Sequence, residues 1–292
     1  MLIITDDICT IPFKQVKNLI MVDVQLNGQQ YPFLFDSGAI RSVVSEAHFS
    51  KDFFADIKQT TIKDVNTDTA KPSDSAAHAA IHTVQVELLQ FANIELRTQE
   101  ILLLDISHLE TALECGPIFG LIGADMMTGC AVCLDYDRHE LTFIKNDIFK
   151  RALESFTGES IAVPFALEDH IPIIGVSIGA HTYRFGIDTG AEAHLIAQDI
   201  TAELGDAFER TDTTDLCGAV SSSKVQRGII KKVIIGGRAL PQPQTAVTGN
   251  ISHLNANRTL HIQGLLGYPF LSAQKTIISM DLKTLFLGTK HI

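Results

Sequence analysis

Two short segments carry the residues best suited to chemistry, Asp36-Ser37-Gly38-Ala39 and Asp188-Thr189-Gly190-Ala191. Each follows an apolar run, Phe33-Leu34-Phe35 in the first case and Phe185-Gly186-Ile187 in the second. Two carboxylates on equivalent loops of two equivalent half-chains can meet at a two-fold axis. Carboxyls forced together cannot both ionise, so they share a proton. The ionised member can then act as a base toward water while the other donates to a carbonyl oxygen. That is acid–base hydrolysis without a covalent intermediate, with Asp36 and Asp188 as the catalytic pair.

The neighbours of each Asp suit that task. The hydroxyls of Ser37 and Thr189 can bond across to the opposite loop and lock the pair. Gly38 and Gly190 allow a tight turn and expose backbone N–H groups to the carboxylates. Ala39 and Ala191 are small enough for close packing and bring no hydroxyl that would lower a carboxyl pKa, so the expected optimum is nearer to about pH 6 than to pH 3. Arg41 lies close in sequence and could hold Asp36 ionised; it is expected to point away.

The elements that position these loops are repeated as well. At the offset 188 − 36 = 152, Pro12-Phe13 lands on Pro164-Phe165, Val24 on Val176, Tyr31 on Tyr183 and Phe33 on Phe185. Val22 to Gly28 alternates apolar and polar residues and ends in Asn27-Gly28, the pattern of a half-buried strand entering a hairpin. Gly175 to Gly179 alternates in the same way. Later in each half comes a second matched pair, Gly120-Leu121-Ile122-Gly123 and Gly264-Leu265-Leu266-Gly267. The Asp-to-Gly separations are similar, 123 − 36 = 87 and 267 − 188 = 79. Such agreement argues for duplication.

An apolar pair followed by Asp-Ser/Thr-Gly-Ala, with an apolar-apolar-Gly segment some way downstream, resembles the retropepsin-like aspartic proteases. The chain looks like two such units fused into one bilobal, pepsin-like molecule, and the resemblance covers almost all of it. It implies a mostly β fold of two homologous β-barrel-like lobes, residues 1–150 and 151–292, with a cleft between them. Each Asp loop would sit under its apolar-Gly segment in a ψ-shaped loop. One short helix would follow that segment in each lobe, over Ala124 to Thr128 and Tyr268 to Ala273. A hairpin flap would close over the substrate; Leu216 to Val225 is the second-half candidate, and Asp64 to His82 is its glycine-free first-half counterpart. The implied activity is that of an aspartic endopeptidase acting on an extended peptide or protein substrate, without metal or organic cofactor. Ala39, Ala191, Glu192, Gly218 and Ala219 are the candidate substrate contacts. One chain supplies both Asp loops, so the expected active unit is a monomer. The alternative is a catalytically inactive peptide-binding or regulatory module on the same fold.

Bulk properties agree. A chain of 292 residues, 46% of them apolar, is ample for two cores. The net charge of −11 argues against nucleic acid or an anionic membrane surface as partner. The N-terminal stretch has no signal-peptide pattern, and no run reaches the roughly 18 apolar residues of a membrane span. Five cysteines, an odd number, fit a reducing compartment, so the expected location is the cytoplasm. Asn146 to Ser160 reads as a linker with a short helix over 148–153.

Other motifs are weaker. Gly175-Val176-Ser177-Ile178-Gly179 matches a serine-hydrolase elbow, but that motif needs a strand–turn–helix and this segment reads as a strand. Cys130-Ala131-Val132-Cys133 has no partner pair for zinc and reads as buried core. His78 and His82 are spaced as on a helix face but lack an acidic third ligand. Asp135 and Asp281 are equivalent in the repeat and read as turn residues.

Overall fold

The alternating segments form strands, and the strands of the two halves are arranged alike. Leu19–Leu26 turns through Asn27 and Gly28, both with positive φ (50° and 83°), into Gln29–Phe35, which leads to Asp36. Its counterpart, Ile171–Ile178, turns into His181–Ile187, which leads to Asp188. The computed structural model describes residues 2–49, 53–54, 57–60, 81–217, 222–241, 243–256 and 258–288. Gly218, Ala219, His78 and nearly all of the stretch from Asp64 to His82 lie outside them. The flanking arms are paired strands: Phe208–Cys217 with Ser222–Ile230, and Ile57–Thr60 with Ile81–Phe91.

The fold is mostly β and two-lobed. Among the described residues a nine-stranded sheet builds the first lobe and a ten-stranded sheet the second. A six-stranded antiparallel sheet joins them, taking Ile8–Pro12, Cys130–Asp135 and Glu140–Lys145 from the first half, and Ile161–Pro164, Thr276–Ser279 and Thr284–Leu287 from the second. Its two central strands, Cys130–Asp135 and Thr276–Ser279, pair across the junction. The N-terminal segment thus contributes an edge strand to this shared sheet.

Leu19–Leu26 is apolar on both faces at its start because it lies between two cores. Ile20, Val22, Val24 and Leu26 point into the main core, whereas Leu19 and Met21 join Leu34, Leu102, Ile106, Leu113 and Leu121 in a second cluster. Leu113 belongs to a helix, Ser107–Leu113, that packs behind the sheet. This helix corrects the expectation of one helix per lobe, as does Ser252–Asn255 in the second half. Both begin at the tetrapeptide Ile-Ser-His-Leu, at 106–109 and 251–254. Asp105 Oδ1 accepts from Ser107 N (2.9 Å) and Oγ (2.6 Å), and Asn250 Oδ1 accepts from Ser252 N and Oγ at the same distances. Side-chain acceptors of this kind satisfy the free N–H groups of a first helical turn. The helices expected after the apolar-Gly segments are short, a 3₁₀ turn at Ala124–Met127 and an α turn at Tyr268–Leu271. The expected linker helix is instead a pair, Asn146–Arg151 and Leu153–Thr157, with Phe149 and Phe156 packing under the shared sheet. Among the described residues no helix is long and apolar enough to cross a membrane.

Candidate active site

Each Asp loop is held by three strands. Gln29–Phe35 runs parallel to Gly120–Ile122, which is also paired antiparallel with Val43–Ser45. In the second half His181–Ile187 runs parallel to Gly264–Leu266, which pairs antiparallel with His194–Ala197. Asp36 N donates to Ile122 O at 2.9 Å and Asp188 N to Leu266 O at 3.0 Å. The apolar-Gly segments close from above: Ala124 N donates to Ala39 O (2.8 Å) and Tyr268 N to Ala191 O (2.9 Å). A β-carbon on Gly123 would lie 2.6 Å from the Arg41 carbonyl carbon, and one on Gly267 would meet the Ala191 carbonyl oxygen. No side chain fits at either glycine.

The two loops meet. The Asp36 and Asp188 carboxyls each lie against the other loop's glycine, and each residue keeps a partly exposed face. Ser37 N donates to Thr189 Oγ1 (2.8 Å), and Thr189 N donates to Ser37 Oγ (3.0 Å). Thr189 Oγ1 also donates to Phe35 O at 3.1 Å. Gly38 N donates to Asp36 Oδ1 and Gly190 N to Asp188 Oδ1, both at 2.8 Å, and Ala39 N adds a third donor to Asp36 at 3.2 Å. A β-carbon on Gly38 would lie 2.5 Å from Asp188 Oδ1, and one on Gly190 2.5 Å from the Asp36 carboxyl carbon. Only glycine lets each loop approach the opposite carboxyl so closely.

This geometry sets the proton affinity. Loss of water pushes the Asp36 pKa up against the pull of the Gly38 and Ala39 N–H groups and the Asp188 carboxyl. Asp188 is raised well above the ordinary carboxyl value, by loss of water first and by the Asp36 charge second. The pair therefore keeps a proton to higher pH than an ordinary carboxyl would, and the titration belongs to the pair. The arrangement can accept a proton at one oxygen while releasing one from another.

The remaining candidates are scattered. Arg41 turns outward, donating to Glu100 O at 3.0 Å. The carbonyls of Ala39 and Ala191 hold the apolar-Gly segments, and both residues are half-buried. Glu192 is half-buried, its carbonyl accepting from Asn18 Nδ2 of the first lobe at 3.0 Å. Ser177 lies on a strand, with its Oγ paired to Thr182 Oγ1 at 3.0 Å, so no nucleophile elbow exists there. Cys130 and Cys133 face different cores, and burial lifts both thiols to about 11. Asp135 accepts from Arg138 N in a turn, and Asp281 pairs with Lys150. Among the described residues no group of three or more His, Cys, Asp or Glu is placed to hold a metal ion.

Two supporting residues escaped the sequence reading. Ser42 Oγ accepts from Gly123 N at 3.0 Å and donates to Asp125 at 2.7 Å. At the offset of 152 its counterpart is His194, whose Nδ1 accepts from Gly267 N at 3.3 Å while Nε2 donates to Gln244 at 2.9 Å. Both brace a glycine of the apolar-Gly segment. Aligning position 42 with position 194 would have flagged them, but the unlike side chains hide the shared task.

A family model described as aspartyl protease matches residues 22–126 and 174–270. No curated protein matches in sequence. Among solved structures, conglutin gamma, a basic 7S globulin from lupine seeds, is similar at a TM-score of 0.51 and 10% identity, over 97% of this chain and 95% of the other. The basic 7S globulin from soybean is similar at a TM-score of 0.55 and 10% identity, over 98% and 97%. At such identity the likeness is one of fold.

Proposed function

The chain belongs to the aspartyl protease family, whose model it matches in both halves, and from that premise we propose that it is an aspartic endopeptidase. The observation that carries the reading is the juxtaposed carboxyl pair, Asp36 and Asp188, each against the opposite loop's glycine and held by reciprocal Ser37–Thr189 bonds. A water bound between the carboxyls gives a proton to the ionised one as its oxygen bonds to the scissile carbonyl carbon. The protonated carboxyl gives its proton to the carbonyl oxygen, so a neutral tetrahedral diol forms. The proton taken from water then passes to the amide nitrogen as the C–N bond breaks, and a diol proton returns to the pair. The water oxygen ends in the new carboxyl group, and no electrons change hands. The substrate is an extended peptide held by backbone hydrogen bonds, as in strand addition. One chain provides both carboxyls, so the working unit is a monomer.

The second reading is a peptide-binding module without turnover. It draws on the names of the two similar structures, which are globulins. Incubation with a mixed peptide library separates the readings. The protease reading expects cleavage that falls by at least ~10²-fold in both Asp36→Asn and Asp188→Asn, in line with the loss of a general acid or base. Full turnover in either variant sinks the dyad mechanism, and peptide retention without cleavage supports the module.

A further inference from the structure

Two turns outside the Asp loops are related by the same offset, 170 − 18 = 152. Each leaves a three-residue strand, Lys14–Val16 or Ala166–Glu168, and enters the long strand at Leu19 or Ile171. Each has a left-handed residue just before the side chain of interest, Lys17 (φ 49°) or Asp169 (φ 55°). From these turns, side chains cross between lobes. Asn18 Nδ2 donates to Glu192 O at 3.0 Å, and His170 Nε2 donates to Gly38 O at 2.8 Å. The bracing is reciprocal in position but not in chemistry, because only His170 can change its charge.

Nor is it reciprocal in what it reaches. The Gly38 carbonyl and the Ala39 N–H are the two ends of one peptide group. His170 binds the carbonyl end, and the N–H end donates to Asp36 Oδ1 at 3.2 Å. A side chain from the second lobe therefore fixes the plane of a peptide that binds the catalytic carboxyl of the first. A donor on its carbonyl also polarises the peptide and strengthens what its N–H gives. Asn18, by contrast, holds the Glu192 carbonyl, which is farther along its loop.

The surroundings of His170 favour the neutral ring. With Nε2–H donating, Nδ1 carries only a lone pair; it is shielded from solvent and has no partner among the described residues. A second proton would place an unpaired N–H there. The charged groups facing the ring are Arg258, Asp169 and Asp36. Arg258 donates to Glu168 O and lies 3.9 Å from Asp169, while the Glu168 carboxylate is occupied by Thr259 and Leu260. Burial and then Arg258 hold the imidazole below its ordinary pKa, against the opposing pull of the Gly38 bond and the two carboxylates.

We propose that His170 is a positioning residue for Asp36, acting through the Gly38–Ala39 peptide, and that it acts as the neutral Nε2–H imidazole. Protonation of His170 then contributes to the acid-side loss of activity, alongside second protonation of the dyad. The inference rests on Asp36 being a catalytic carboxyl.

The test combines pH–rate profiles of wild type, His170→Gln and His170→Ala with ¹⁵N NMR of the His170 ring in the full chain. His170→Gln keeps a donor of similar reach that does not titrate. It should hold kcat at the optimum within about threefold and move the acid limb to lower pH, whereas His170→Ala should lose about tenfold in kcat with KM nearly constant, the signature of a misplaced catalytic group. An acid limb that stays fixed in both variants overturns the proposal. The NMR arm needs no turnover. A ring charged at pH 6, or protonated at Nδ1 alone, overturns the proposal even in an active protease. If no peptide is cleaved, a neutral Nε2–H ring together with an altered Asp36 carboxyl titration in His170→Ala supports the brace and removes only the protease reading.

Discussion

Ser37 and Thr189, separated by 152 positions, each donate a backbone N–H to the other's hydroxyl, at 2.8 and 3.0 Å. Both residues are buried, with 1% of their surface exposed, so neither N–H has water to fall back on. The bond pair ties the two Asp loops together at their second residues and fixes the spacing of the carboxyls that precede them.

Removing one hydroxyl leaves a buried donor unmatched. Thr189→Val keeps the shape but strands the Ser37 N–H and removes one donor from the Phe35 carbonyl. It should cost about 1–3 kcal/mol, the penalty of one buried donor left bare. Thr189→Ser should behave like wild type. Urea denaturation of the three proteins reads the difference, and equal midpoints for Val and wild type would show that the bonds contribute little.

The glycines of the Asp loops tolerate no side chain. Gly38→Ala would drive its methyl group to 2.5 Å from Asp188 Oδ1. The loops must then separate, and turnover should fall by about 10²-fold or more, the scale of a 1 Å misplacement. A Gly38→Ala or Gly190→Ala variant with wild-type kcat would mean that the carboxyls need not lie so close.

The dyad should lower stability at neutral pH. Both folded pKa values are raised, so the folded state binds more protons than the unfolded chain between the ordinary carboxyl value and the folded one. Stability is therefore greatest below the unfolded pKa near 3.8 and is lost as pH rises through the folded pKa. Asp188→Asn removes the penalty. It should raise Tm near pH 7.5 by a few degrees, as about 1 kcal/mol would in a chain of this length, and the gain should vanish below about pH 4. A Tm gain that does not depend on pH would reject this origin. The same raised affinity shifts the basic limb of the pH–rate profile upward, so the optimum should lie nearer to about pH 6 than to pH 3, and a profile peaking near pH 3 would contradict it.

His194 should make the fold acid-sensitive. Burial lowers its pKa from 6.5 to about 4. Below 6.5 the unfolded chain takes a proton that the folded ring refuses until about pH 4, so stability falls across that window, by about 3 kcal/mol in total. His194→Gln keeps an acceptor for Gly267 and a donor for Gln244 without titrating. Chemical denaturation at pH 7 and pH 4.5 should show a smaller acid loss in the variant, and parallel losses would assign the acid sensitivity elsewhere.

Much of the site could be read from the chain because duplication writes the same constraint twice. Asp36 and Asp188, their hydroxyl and glycine neighbours, and Gly123 and Gly267 each recur at nearly constant spacing. The alternation of Val22 to Gly28 revealed the strand, and its Asn-Gly the turn. The helix at Ser107–Leu113 is less legible: seven residues are too few for a clear helical period, and its only local start signal is the turn in which Asp105 accepts from Ser107.

The sequence by itself determined that two like units carry one carboxylate each, since identity at a fixed offset requires no geometry. It could not determine which groups hold those carboxylates in place. Ser42 and His194 do one task with different side chains, and Asn18 and His170 cross from one lobe to the other's loop. Such contacts join residues from about 70 to more than 170 positions apart, and no local period or propensity encodes them. Only the folding of both halves around one shared sheet brings a histidine of the second lobe to the peptide that binds Asp36.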